Sequence, residues 1–163
     1  MNYSQNDIKF FLGMYPPKSV EDNSVHMIPS FGNMGIIETD DGLVVFDMAL
    51  KQYGPRNFKT FRSITEKPIR YIIYSHGHFD HCYGFEPFIS EIKEKGWEMP
   101  EIIAHENVVK RFKKYQILDG YHKWLNAQQF GSVMGKDDEV ISPHQVLYPT
   151  IILDGKEPFV FEF

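Results

Sequence analysis

Cysteine is nearly absent. Cys82 stands alone among 163 residues, so no internal disulfide can form and a stapled secreted scaffold is excluded. A reducing compartment, and with it the cytoplasm, is the expectation. No apolar run approaches the roughly 20 residues that a membrane-spanning helix needs, so no membrane partner is expected. Basic charge is also short: 17 Lys plus Arg face 22 Asp plus Glu, for a net charge of −5. Nucleic-acid binding needs a clustered cationic excess, which this balance does not supply. The opening residues, Met1 to Lys9, lack the basic-then-apolar profile of a signal peptide. Internal repeats, low-complexity stretches and linkers are missing too. What is present is an ordinary globular composition, 42% hydrophobic and 24% charged, in a length suited to one domain.

Residues 1–23 read as a polar leader with a short aromatic patch (Phe10, Phe11, Tyr15) broken by Pro16-Pro17. The domain is expected over residues 24–163. It opens with β runs: Val25 to Phe31, a Gly32-Asn33 turn, Met34 to Thr39, an Asp40-Asp41-Gly42 turn, then Leu43 to Met48. The continuous apolar run Leu43 to Phe46 predicts a strand buried on both faces. Gly54-Pro55 opens a helix carrying Phe58, Phe61 and Ile64, which ends before Pro68. Ile69 to Tyr74, dense in β-branched and aromatic residues, is the best strand in the sequence. A second helix has Phe85, Phe88, Ile89 and Ile92 on one stripe and stops at Gly96. Glu101 to Ala104 predicts another strand. A helix capped near Asn107 follows, with Val108, Phe112 and Tyr115 facing inward. Residues 119–145 read as a folded polar loop, and Val146 to Leu153 and Phe159 to Phe163 as two strands about the Asp154-Gly155 turn. The class is α/β: a mixed sheet with helices on a face.

Three of the seven histidines fall within residues 76–81, in Ser75-His76-Gly77-His78-Phe79-Asp80-His81, directly after the best strand. On extended backbone, residues two apart point the same way, so His76, His78 and Asp80 can converge. His81 reaches a second position once the chain curls into a helix. Gly77 keeps the backbone between the first two imidazoles thin. Ligands in open α/β sheets gather at the carboxyl ends of strands, where this segment lies. Imidazole nitrogen with carboxylate oxygen suits zinc first, with iron or manganese as alternatives. Asp47, closing an apolar strand, needs a partner for its charge, either as a turn residue or as a support beside the metal. His105 follows a strand on the same edge and reads as a helix-entry residue or a further site residue. Cys82 beside the motif reads as a small buried hydrophobe. Lys110, Arg111, Lys113 and Lys114 read as a solvated basic face. Core packing is the expectation for Phe79, Tyr83 and Trp124, with a cleft wall as the alternative.

His-x-His-x-Asp-His between a buried strand and a helix, after a meander ending in Asp47, resembles the metallo-β-lactamase fold superfamily over roughly residues 24–163. Ile102-Ile-Ala-His105-Glu-Asn107 and Asn126-Ala-Gln-Gln-Phe-Gly131 are similar to its alkylsulfatase-like branch. The resemblance implies an αββα sandwich of two similar halves, of which this chain supplies about the N-terminal one. It also implies that His76 and His78 hold one metal and Asp80 and His81 a second, with Asp47 supporting them. Further ligands would come from the other half, since His122 and His144 lack a strand-end setting. Zinc, two ions per complete site, is the expected cofactor. The implied activity is hydrolysis of an ester-like bond (sulfate ester, thioester, lactam or phosphodiester) in a small-molecule substrate by metal-activated hydroxide. Asp80 would bind the second metal and orient the nucleophile. A mononuclear iron sulfur dioxygenase on the same fold and a non-catalytic metal-binding module are the alternatives. By itself the chain is expected to bind metal weakly, to catalyse little, and to form homo-oligomers or associate with a missing C-terminal half.

Overall fold

The computed structural model describes residues 15–20, 24–134 and 144–160. A meander of four antiparallel strands opens the sheet: β1 (Lys18–Val20), β2 (Val25–Ile28), β3 (Met34–Glu38) and β4 (Leu43–Phe46). Three parallel strands extend it in sequence order: β5 (Ile69–Ile73), β6 (Glu101–His105) and β7 (Ile151–Leu153). Each is reached through helices: α1 (Gly54–Ile64), then α2 (Phe79–Cys82) with α3 (Glu86–Lys95), then α4 (Glu106–Ile117) with α5 (Asp119–Met134). Successive parallel strands added on one side, with crossovers of one hand, collect their helices on a single face.

That face holds the core. Phe61 of α1, Phe88 of α3, and Val108 and Phe112 of α4 form one cluster with Met34, Ile36, Val45, Ile72, Ile102 and Ala104 of the sheet. Arg62 clamps α1 to α3 through a two-pronged contact with Glu91, and its guanidinium lies 4.6 Å from the Phe61 ring centre. Gly96 ends α3 in the left-handed conformation, φ 65°, where a side chain would be strained. On the other face the register aligns Met27, Gly35, Phe46, Ile73, Ile103 and Ile151 into one row across the sheet. Met27 and Phe46 are 38% and 37% exposed there, although Leu43, Val44 and Val45 are buried. The burial expected on both sides of β4 thus holds for three of its four residues.

Several expectations need correction. Lys18–Val20, assigned to the leader, is an edge strand paired with β2; residues 1–14 and 21–23, including Phe10 and Phe11, lie outside the described residues. Residues 119–134, read as a loop, are helix α5. Their sequence is polar because Tyr121 and Trp124 face solvent and form no apolar stripe. Residues 135–143 lie outside the description. The strand expected over Val146 to Leu153 shrinks to Ile151–Leu153, since Pro149 cannot donate to a ladder. Phe159 and Val160 are not in a strand, and residues 161–163 are outside the description. The cap of α4 is His105, whose Nδ1 accepts from the Asn107 backbone N–H at 3.1 Å. Among the described residues no helix is long and apolar enough to cross a membrane.

Candidate metal centre

Strand β4 ends in a strained turn. Asp47 and Ala49 both hold φ 58°, a conformation that costs a non-glycine residue energy unless the surroundings enforce it. The surroundings do so here. The Asp47 N–H donates to Ile73 O at 2.9 Å, the Met48 N–H to His81 O at 2.7 Å, and the Tyr83 and Gly84 N–H groups to Ala49 O. The turn after β4 is thereby stitched to the segment after β5. Close backbone contact completes the seam. A Cβ on Gly32 would overlap the Asp80 carbonyl, and one on Gly84 would lie 2.1 Å from Met48 O.

The buried Asp47 carboxylate sits at the centre of this seam, 7% exposed. Its Oδ1 accepts the Ser75 N–H at 2.8 Å, and its Oδ2 accepts the Ser75 hydroxyl at 2.6 Å and His81 Nδ1–H at 2.7 Å. The Ser75 proton being spent on Asp47, His76 Nδ1–H must donate to Ser75 Oγ, 3.0 Å away. One carboxylate therefore fixes the Nδ1 proton of two histidines; His76 keeps a lone pair on Nε2, and His81 gains one there when it gives up its second proton. His76 Nε2 faces His78 Nδ1 at 3.0 Å, and His81 Nε2 faces Asp80 Oδ2 at 3.3 Å. The His76 and His81 rings lie 4.1 Å apart, centre to centre. Gly77 is buried under α4: a Cβ there would meet Arg111 Cβ at 3.0 Å and Val108 Cα at 3.1 Å.

Charge follows from these contacts. Burial, then the neighbouring His81, holds His76 below its ordinary pKa, and burial followed by His76 does the same to His78. Burial alone would lower His81 as well, but hydrogen bonds to Asp47 and Asp80 outweigh it and raise His81 to about 9. For Asp80 burial acts upward, yet the His81 hydrogen bond and charge leave it below the usual carboxylate value. At neutral pH the pair is an imidazolium between two carboxylates beside two neutral imidazoles. Among the described residues no three His, Cys, Asp or Glu side chains are disposed to hold one metal by themselves. The donors pair instead, His76 with His78 and Asp80 with His81. Such pairs have the right chemistry for two cations that draw further ligands from elsewhere.

The four motif residues and Asp47 are thus brought together, and His105 is not among them. His105 caps α4, and its Nε2 would lie 2.8 Å from a Cβ on Gly155. Cys82 is buried, donating from Sγ to the His76 carbonyl at 3.1 Å, with burial raising its thiol pKa. Phe79 and Tyr83 belong to the core, whereas Trp124 is 58% exposed, against the packing expected of it. Two residues escaped the sequence reading. Ser75 was passed over although it immediately precedes His76. Arg111 was grouped with a solvated face, but Lys110 pairs with Glu106 while Arg111 is half-buried against Gly77 and Tyr115. Its spacing, three after Val108 and four before Tyr115, puts it on the inner stripe of α4 and was the available signal.

The family profile described as the metallo-beta-lactamase superfamily matches residues 27–151. A linear primary-alkylsulfatase of Pseudomonas sp. (strain ATCC 19151) is 36% identical over 75 residues, which cover 45% of this chain and 14% of that protein. An alkyl/aryl-sulfatase of Saccharomyces cerevisiae is 30% identical over 105 residues, covering 63% of this chain and 16% of that protein. The matched stretches thus span about one-seventh of the length of these relatives. Among solved structures, a stereoselective inverting sec-alkylsulfatase from Pseudomonas sp. superposes with a TM-score of 0.63 at 19% identity, over 85% of this chain and 24% of that one. At that identity the likeness is one of fold.

Proposed function

Because this chain belongs to the metallo-β-lactamase superfamily, we propose that the protein carrying it is a metal-dependent hydrolase of sulfate esters. The observation that carries this reading is the Asp47 hub, which aims His76 Nε2 and His81 Nε2 at His78 and Asp80. The alkylsulfatase relatives support the choice of sulfate ester over thioester, lactam or phosphodiester. His76 and His78 would hold one cation, Asp80 and His81 a second, and zinc fits this donor set best. Divalent cations bound there would bring the pKa of water toward neutrality and polarise the ester oxygen. Asp80, ionised at neutral pH, accepts a hydrogen bond from the attacking water and orients it. Asp47 keeps the histidines in register throughout. Hydrolysis adds water across the ester and releases the alcohol and hydrogen sulfate.

The remaining ligands come from a complementary half of the αββα sandwich, which covers the part-exposed residues Met27, Phe46, Ile73 and Ile151 of the row in which Ile103 is already buried. Exposed apolar side chains gathered in one row mark an interface. A second copy of the chain is the competing occupant. The deciding experiment incubates the whole protein with alkyl sulfate, aryl thioester, lactam and phosphodiester substrates, with and without a chelator, and measures metal content. Chelator-sensitive release of inorganic sulfate with stoichiometric zinc is expected. Stoichiometric iron with oxygen uptake, or no hydrolysis by the metal-loaded protein, would overturn the assignment.

A further inference from the structure

Among the described residues no carboxylate answers Arg111. Its stem lies against Gly77, between the two imidazoles of the motif, and its guanidinium carbon is 5.7 Å from the centre of the Tyr115 ring. Among the described residues no Asp or Glu forms an ion pair with it. Its charge also reaches His122, which burial, then Lys114 and then Arg111 hold toward the neutral form. His122 lies on the same wall, its ring 4.7 Å from Tyr115 and 6.5 Å from Phe79. The His122 Nε2 atom is buried and has no hydrogen-bond partner. A half-buried guanidinium hydrogen-bonded to Tyr115, against whose ring the unsatisfied His122 also packs, has no anionic partner among the described residues. A buried charge without a partner is costly, and the fork of a guanidinium matches a tetrahedral oxyanion.

We infer that Arg111, with His122 beside it, forms the anion-recognition wall of the site and binds the sulfate group of the substrate next to His78. The identity of the anion rests on the sulfate-ester reading above; the existence of an anion site does not. Arg111 is a substrate-binding residue, and its side chain takes no proton. The sulfate group would supply the anionic partner that Arg111, hydrogen-bonded to Tyr115, lacks among the described residues, and an acceptor for His122 Nε2. A neutral ester has no such group and gains nothing from this wall.

The test uses the whole protein as wild type, Arg111→Met and Arg111→Lys, each checked for an unaltered melting midpoint. Inorganic sulfate is titrated calorimetrically into the metal-free protein, and alkyl sulfate is compared with a neutral aryl ester on the metal-loaded protein. Arg111→Met is expected to weaken sulfate binding about ten- to a hundredfold, the value of a charge-assisted contact. The preference for sulfate over neutral ester should fall by a similar factor, through KM. Arg111→Lys should restore part of both, since it keeps the charge and loses the fork. Equal sulfate binding by wild type and Arg111→Met, or none by wild type, would overturn the inference. So would an equal loss on both substrates, which would mark Arg111 as a support for α4. If no ester is hydrolysed, the proposed function fails while the sulfate titration still decides the role of Arg111.

Discussion

Replacing Asp47 by Asn tests the logic of the site most directly, because the two side chains are the same size and tolerate φ 58° equally well. The amide oxygen can still accept the Ser75 N–H. The amide nitrogen, however, now points two donors at Ser75 Oγ and His81 Nδ1, where the carboxylate accepted at 2.6 and 2.7 Å. The neutral form of His81, the one that can bind metal, must answer with a lone pair on Nδ1, so the one proton it keeps sits on Nε2, the atom facing Asp80. A protonated Nε2 cannot bind metal. Losing such a supporting partner weakens metal binding about 10–100-fold, or about 1.4–2.7 kcal/mol. Removing the charge-assisted hydrogen bonds should also cost the metal-free fold about 1.5–3 kcal/mol. Competition against a chromophoric chelator near neutral pH gives the affinity, and imidazole nitrogen shifts give the tautomer. Unchanged zinc affinity, with His81 still protonated on Nδ1, would refute the assignment of Asp47 as the hub.

Gly77→Ala puts a methyl 3.0–3.1 Å from Arg111 and Val108; this overpacking should cost about 1–3 kcal/mol, and an unshifted thermal midpoint would show that α4 yields freely. The metal-free protein should be most stable near the ordinary histidine pKa of about 6.5. Above it His81 holds a proton that the unfolded chain has lost, so its stabilisation, about 1–3 kcal/mol after allowance for solvent, fades as pH rises through about 9. Below it the unfolded chain protonates before His76 and His78 do, so stability falls there too; denaturant midpoints across pH, flattened on the alkaline side by His81→Asn, provide the check. Cys82, 1% exposed with its thiol pKa raised, should resist thiol reagents in the folded protein and react with one equivalent after denaturation; rapid native reaction would contradict its burial.

The local signals were legible because their cause is local. β5 followed by the His76–His81 cluster, the apolar stripe of α3 with its left-handed stop at Gly96, and the meander from Val25 to Phe46 all rest on periodicity, propensity and turn chemistry. The clustering of four ligand-type residues likewise needed no fold to be seen. Residue 119 onward was misread for the complementary reason. Among the described residues of α5, His122 meets Tyr115 while Tyr121 and Trp124 are exposed, so its apolar period is too weak to announce a helix. His105 read as a helix-entry residue beside Asn107, with a site role as the alternative because a strand end is where ligands sit; the Asn107 N–H, two residues on, shows it to be the cap.

By itself, then, the sequence determined the class of the fold and the residues that bring donor atoms. Tertiary structure alone decided how those atoms point. Asp47 meets Ser75 across 28 residues and His81 across 34, and Arg111 meets Gly77 across the α2–α3 crossover and β6. No periodicity encodes such contacts, which arise when the parallel β4–β5 pair brings two strand ends side by side. Tautomer and charge follow from that juxtaposition, because a proton's position depends on the atoms within hydrogen-bond reach and not on neighbours in the chain.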